Sequence, residues 1–272
     1  MTKRNPTLAM MLALSVALAS CGAGDTGGEG TGTTQNLPRG ADPIQLDPED
    51  FTADIDNAYW PMPPGAQWTY REIDEEGNEL LVVVTVSTET RDIANGITAR
   101  VVRDTVTQDG EVVEDTFDWY AQDATGTIWY LGEDTAEFED GQVSSTGGSF
   151  EAGVDGALPG IIMPANPTVG MSYRQEYYQG EAEDNGEILG VGEQVEVPAG
   201  HYGDAVLTKD TITIQPDVVE YKLYARSIGP ALILGISGGG GREELVEFKT
   251  VAGEVATAAG TTPLGETYLP ED

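Results

Sequence analysis

Cysteine and histidine are almost absent from this chain: among 272 residues, Cys21 and His201 are the only ones of their kind. A centre that takes two or more Cys or His ligands cannot be assembled within one chain, which excludes structural zinc, iron–sulfur clusters and blue copper. An intrachain disulfide is excluded as well. Cations are scarce. With 13 Lys and Arg against 47 Asp and Glu, the net charge is -34, and the clustered basic surface that nucleic-acid phosphates require is missing. The longest apolar run, Leu8 to Ala19, falls short of the ~20 residues that cross a bilayer as a helix. No amphipathic helical period of ten or more residues stands out. No Gly-x-Ser-x-Gly elbow is present, and Gly238 to Gly241 is not followed by Lys-Ser/Thr, so neither a hydrolase elbow nor a phosphate loop is expected. No cofactor is expected either. What remains is a chain with 39% hydrophobic residues, enough to bury a core and to exclude wholesale disorder.

The N-terminus carries the most specific local signal. Lys3 and Arg4 precede the apolar run, which ends in Leu18-Ala19-Ser20-Cys21. This segment resembles the lipobox of bacterial lipoprotein signal peptides, in which small residues precede a cysteine that is acylated and becomes the new N-terminus. The resemblance implies that residues 1–20 are removed and that Cys21 is lipidated. Its acyl chains, at about 0.8 kcal/mol per buried CH₂, would hold the protein on the extracytoplasmic side of the cell membrane or outer membrane. Residues 21–50 then read as lipidated cysteine plus a Gly/Thr-rich tether, and residues 51–251 as the folded domain. Residues 252–272, rich in Ala, Gly, Thr and acids, read as a disordered acidic tail.

Between Ala66 and Val251 apolar residues alternate with period two and are rich in Val, Thr, Ile and Tyr. That pattern predicts strands over 66–73, 80–90, 97–108, 112–123, 127–133, 171–179, 188–197, 204–215, 218–227, 230–236 and 243–250. Glu76-Gly77-Asn78, Asp109-Gly110 and Asp184-Asn185-Gly186 supply residues tolerant of positive φ, as tight hairpins need. Strands joined by such turns are antiparallel.

Two stretches also resemble each other. In residues 96–132 and 200–235, Asp104-Thr105-Val106-Thr107 matches Asp210-Thr211-Ile212-Thr213, Tyr120-Ala121 matches Tyr224-Ala225, and Leu131-Gly132 matches Leu234-Gly235. The expected fold is therefore all-β: one strongly curved, half-barrel-like antiparallel sheet containing two duplicated meanders. The second copy contains Val197-Pro198-Ala199-Gly200 and Pro216-Asp217-Val218-Val219-Glu220-Tyr221-Lys222-Leu223-Tyr224-Ala225. This pattern resembles uncharacterised bacterial lipoproteins similar to the LolA/LolB-type half-barrel. It departs from them at Arg226-Ser227-Ile228 and at Gly238 to Gly241. The resemblance implies a concave sheet able to hold an acyl chain or small apolar ligand, and implies no activity.

Candidate chemistry rests on carboxylates and aromatics. Glycoside hydrolysis needs two carboxyls about 5–5.5 Å or 6.5–9.5 Å apart. Glu114 and Asp118 share a face but lie too far apart within one strand, while a cross-strand partner such as Glu133 would bring a pair closer. His201, at a loop-to-strand junction, reads as a surface residue. The acidic turns at 74–79 and 181–187 suit oxygen-seeking Ca²⁺ weakly, without the spacing of a dedicated site. Adjacent aromatics point to opposite faces, so Trp119-Tyr120 and Trp129-Tyr130 should each place one ring inward. These four, with Leu158, Ile161, Ile162 and Met163 from the segment Phe150 to Pro167, are the candidate ligand-binding residues. That segment reads as a plug at one end of the sheet, or as a lid over it.

Three function classes fit: a non-catalytic lipid-anchored module binding an apolar or amphipathic ligand or an envelope partner, a carboxylate-dependent hydrolase, and a structural surface lipoprotein. All three share the anchor. Cys21→Ala is expected to move the protein from the membrane fraction to the soluble fraction; retention on membranes washed in high salt would contradict lipidation at Cys21.

Overall fold

The computed structural model describes residues 37–239 and 241–269. Cys21, the signal-peptide segment and the Gly/Thr-rich part of the tether lie outside the described residues. A short 3-10 turn (Pro48–Asp50) and β1 (Phe51–Thr52) precede β2 (Ala66–Ile73), β3 (Glu79–Asp92), β4 (Thr98–Gln108), β5 (Glu111–Asp123), β6 (Ile128–Glu139) and β7 (Gln142–Ser145). Then come β8 (Phe150–Glu151), β9 (Gly160–Met163), β10 (Ser172–Arg174), β11 (Asp184–Val197), β12 (Gly200–Ile212) and β13 (Gln215–Ala225). β14 (Gly229–Ser237), β15 (Arg242–Thr250) and the helix α1 (Gly253–Thr261) complete the order.

Every ladder among the described residues is antiparallel. The sheet runs β10-β11-β12-β13-β14-β15-β2-β3-β4-β5-β6-β7, with β1 on β5 and both β8 and β9 on β6. It is the all-β, curved sheet that the period-two pattern predicts. Its two sides approach where β9 passes β10. There a single bridge joins Leu158 to Tyr177 instead of a full ladder. At Gly160 a Cβ would stand 1.9 Å from the Gln175 carbonyl oxygen, so only glycine permits that approach.

The predicted strands match closely except at the seam. The run expected over 171–179 shortens to β10. Arg174, on the face opposite Tyr173, donates there to the carbonyls of Pro159 (2.9 Å), Gly40 (2.7 Å) and Asp42 (2.6 Å), which binds residues 38–42 to the sheet. Asp184-Asn185-Gly186 is not a turn but the start of β11. The turn lies earlier, where the Tyr178 N–H donates to the Ala182 carbonyl at 2.6 Å.

Phe150 to Pro167 neither plugs nor covers the sheet. Its strands β8 and β9 satisfy the free edge of β6 and so extend the wall. The end is plugged instead by residues 53–65, whose Trp60 ring lies 5.6 Å from Tyr120 and 5.8 Å from Tyr224.

Within the stretch expected to be a disordered tail, residues 253–269 instead form α1 and the loop after it. Its anchor is Arg103, buried on the outer face of β4. The guanidinium pairs with buried Asp115 and donates to the carbonyls of Thr262 (2.7 Å), Pro263 (3.1 Å) and Glu266 (3.2 Å). The Gly265 N–H donates to the same Asp115 carboxylate at 2.7 Å, and Tyr268 stacks 4.6 Å from the Arg103 guanidinium. Breaking one side of a buried pair leaves an uncompensated charge at a cost of about 3–5 kcal/mol. Arg103→Met is therefore expected to lose stability of that order in urea unfolding and to expose the C-terminal segment to proteases. A loss under about 1 kcal/mol with the segment still protected would contradict this anchoring.

Candidate functional site

Cross-strand partners share a face, so the registers trace one inner surface. On one side it runs from Trp68 to Val84 and Asp104, and from Val86 to Val102, Asp118 and Glu133. On the other it runs from Glu72 to Glu243, Ile233, Lys222, Thr208 and Ile188. The surface is divided along its length. The plugged end is apolar and filled by its own side chains: Trp60, Trp68, Tyr120, Tyr224, Val86 and Val102 are buried there. Trp68 Nε1 donates to the Ile228 carbonyl at 2.7 Å, and the Tyr70 hydroxyl donates to the Pro230 carbonyl at 3.0 Å.

The other end is acidic. Glu72, Asp104, Glu114, Asp118, Glu133, Asp184, Asp210, Glu220 and Glu243 lie on the inner surface, with Glu176 beside Asp184 and one cation, Lys222. Glu114 remains exposed, and Glu72, Glu133, Asp184 and Glu243 are partly so, which makes this end accessible to solvent. Lys222 Nζ lies 3.1 Å from Asp210 and 3.3 Å from Glu220. Burial alone would depress its ammonium, but Asp210 and Glu220 overcome that and hold its pKa well above the usual value. Gln175 donates to Asp210 at 3.1 Å.

A tight arrangement joins Asp118, Tyr130 and Glu133. The bulge at Gly132 (φ 138°) lets Tyr130 and Glu133, three positions apart, face the same way. The Tyr130 hydroxyl oxygen then lies 2.6 Å from Asp118 and 2.7 Å from Glu133. A phenol has one proton, so it donates to one carboxyl and accepts from the other, which must itself be protonated. Electrostatics agree: burial raises Asp118 to about 7, and burial together with Asp118 raises Glu133 to about 8. Burial and then Asp118 also hold Asp104 well above the usual carboxylate range. Glu243, beside Glu72, is raised to about 8, chiefly by burial.

Several buried polar atoms on this surface have no partner: Asp104 Oδ1, Asp210 Oδ1, Thr208 Oγ1 and the Tyr173 hydroxyl. Among the described residues, no group of three or more acids, His or Cys is arranged to hold a metal ion. The Asp74 carboxylate, in one of the turns considered for Ca²⁺, is occupied by the Glu76 and Asn78 N–H groups and the Asn78 amide. His201 is exposed beside Glu196, as expected of a surface residue.

The aromatic candidates divide as adjacency requires. Tyr120 and Tyr130 face inward and stack at 4.9 Å. Trp119 and Trp129 face outward, Trp119 under Arg91 at 3.9 Å and Trp129 against Phe51 at 6.2 Å. Ile161 and Met163 are fully buried in the β9 wall, whereas Leu158 and Ile162 are partly buried. The structure does not gather these eight residues into one cavity. The cross-strand pairing of Asp118 with Glu133 is legible from spacing; the concentration of carboxyls on one face is marked in the sequence only by the period-two spacing of Glu114 and Asp118 across Thr116.

No protein-family model matches the chain, and no curated protein matches it. Two solved structures are similar in outline. One is a candidate lipoprotein from Parabacteroides distasonis, at 12% identity and TM-score 0.41, covering 70% of this chain and 98% of that one. The other is a beta-barrel-like protein of a domain of unknown function from Brucella abortus, at 14% identity and TM-score 0.33, covering 69% and 98%. Likeness at this level carries no functional argument.

The raised carboxyls set a pH dependence. An unfolded Asp or Glu titrates near 4, whereas folded Asp118 and Glu133 titrate near 7 and 8. Between about pH 4 and 8 the folded state therefore binds more protons, and stability falls as pH rises through that window. At fixed ionic strength Tm is expected to be several degrees higher at pH 5.5 than at pH 8.5, with Glu133→Gln flattening the slope. A Tm that climbs across the same interval would contradict the assignment.

Proposed function

We propose that the protein is a lipid-anchored extracytoplasmic binding module whose inner surface takes an amphipathic ligand by its cationic end. The observation that carries this reading is the inward row of carboxyls opposed by one lysine. A carboxylate partly removed from water is stable only with a proton, a donor or a cation close by. Here protons meet part of the need, and four buried polar atoms still lack partners. An acyl chain alone fits less well, because the apolar end is packed with Trp60, Tyr120 and Tyr224. Partly buried Val84, Val106 and Ile233 lie among the carboxyls and would meet the ligand's apolar part. The anchor at Cys21, and with it the lipoprotein assignment, rests on the lipobox-like segment; the LolA/LolB-type likeness adds the idea of a carrier.

A carboxylate hydrolase is the second reading, favoured by the raised pKa values of Asp118 and Glu133. A glycosidase places the sugar between its two carboxyls. Here the Tyr130 hydroxyl stands in that gap, within hydrogen-bond distance of both. Binding is therefore the reading that the geometry supports better.

Calorimetric titration of the purified protein at 0.15 M salt tests it. Saturable binding of hexylamine, with no heat from hexanoate, is expected. Binding of hexanoate or longer fatty acids with no response to amines would overturn the cationic reading.

A further inference from the structure

The two meanders, β4–β6 and β12–β14, can be compared position by position. Asp104 stands opposite Thr116 as Asp210 stands opposite Glu220. Four positions beyond Thr116 and Glu220 come Tyr120 and Tyr224, which flank the same Trp60 ring. Between them, two positions short of each tyrosine, the copies differ in charge. The second copy has Lys222; the first has Asp118. In the third strand the register pairs Glu133 with Asp118 where Ile233 pairs with Lys222. The Leu131-Gly132 and Leu234-Gly235 likeness is therefore not kept in the register.

In the second copy the Lys222 ammonium serves Asp210 and Glu220. The first copy has no cation in its place, only the carboxyl of Asp118. Among the described residues no Lys, Arg or His forms an ion pair with Asp104, Asp118 or Glu133. Lys209 lies on the opposite face of β12, and Lys249 pairs with Glu247. Asp104 Oδ1 is sealed from solvent with no hydrogen-bond partner. We infer that the first meander holds a subsite for a primary ammonium group, formed by Asp104, Asp118, Glu133 and the Tyr130 hydroxyl, in the place that the second meander fills with its own Lys222. An ammonium group has three N–H donors and no acceptor, which matches a group of side chains that offers carboxyl oxygens and one phenol. A quaternary ammonium has the charge without the donors and should be rejected. The subsite rests on the reading that the inner surface binds a cationic ligand, and it places the ligand's charged end.

The test uses the full-length protein and n-butylammonium as probe, with tetramethylammonium and Ca²⁺ as competitors, followed by calorimetry at constant salt. Saturable 1:1 binding of n-butylammonium is expected, undisturbed by tetramethylammonium. Loss of a charged hydrogen-bond partner should weaken it about tenfold or more in Asp104→Asn. Asp118→Lys, which supplies the ammonium internally, should abolish binding while Tm at pH 8.5 stays at or above that of the parent. Asp210→Asn, in the other meander, should leave affinity within about threefold. If Asp118→Lys does not fold, Asp118→Asn takes its place and should weaken binding as Asp104→Asn does. Parent-level affinity in folded Asp104→Asn and Asp118 variants, with loss in Asp210→Asn, would overturn the subsite and leave the cationic reading standing. Displacement of n-butylammonium by Ca²⁺ at equal concentration would overturn the subsite in favour of a metal ion. No binding of any amine by the parent would overturn both readings.

Discussion

A carboxylate taken out of water loses hydration that only a proton, a hydrogen-bond donor or a cation can replace, and this sheet turns a row of them toward its own interior. The rest of the molecule is arranged around that difficulty. Trp60, pressed between Tyr120 and Tyr224, closes the apolar end and confines the acids to the end that solvent still reaches. Lys222 neutralises one group of them. Burial, with the repulsion between Asp118 and Glu133 added to it, lets the Asp118–Tyr130–Glu133 arrangement retain a proton at neutral pH.

The few arginines explain why the acids are left to themselves. Three of them serve as internal clamps for backbone carbonyls. Arg100 binds Ala53, Ser87 and Thr88, Arg103 holds the C-terminal segment, and Arg174 holds residues 40–42 at the seam. Each satisfies carbonyls where the chain leaves regular structure, which otherwise would be buried unpaired at a cost. Cations spent in this way are not available to the inner face.

Much of this fold is legible in the sequence because period-two alternation survives wherever one face is buried, and from β2 to β5 the predicted and observed bounds nearly coincide. The seam is not legible: β8, β9 and β10 are two to four residues long, too short to show a period. The C-terminal helix escapes too, since α1 is only nine residues long, with a buried face of two alanines and a polar face of Glu254, Thr257 and Thr261, and is held through Arg103, a residue more than 150 positions away. The candidate site is legible only in part. Spacing brings Asp118 and Glu133 together, and the repeat brings Asp104 into line with Asp210. What sequence alone does not weigh is that Asp118 occupies the place of Lys222, because that equivalence depends on the register of paired strands. Nor does alternation say which face of Trp119-Tyr120 is inside; the bulge at Gly132 and the packing of Trp60 decide it.

The central claim is that the first meander lacks a counter-cation which a ligand provides. Side-chain carboxyl NMR titration of the protein, with and without saturating n-butylammonium, tests it most directly. The account predicts that Asp118 and Glu133 titrate near 7 and 8 in the free protein and that both midpoints fall by at least one unit when the amine is bound. Midpoints near 4 in the free protein, unmoved by the amine, would contradict it.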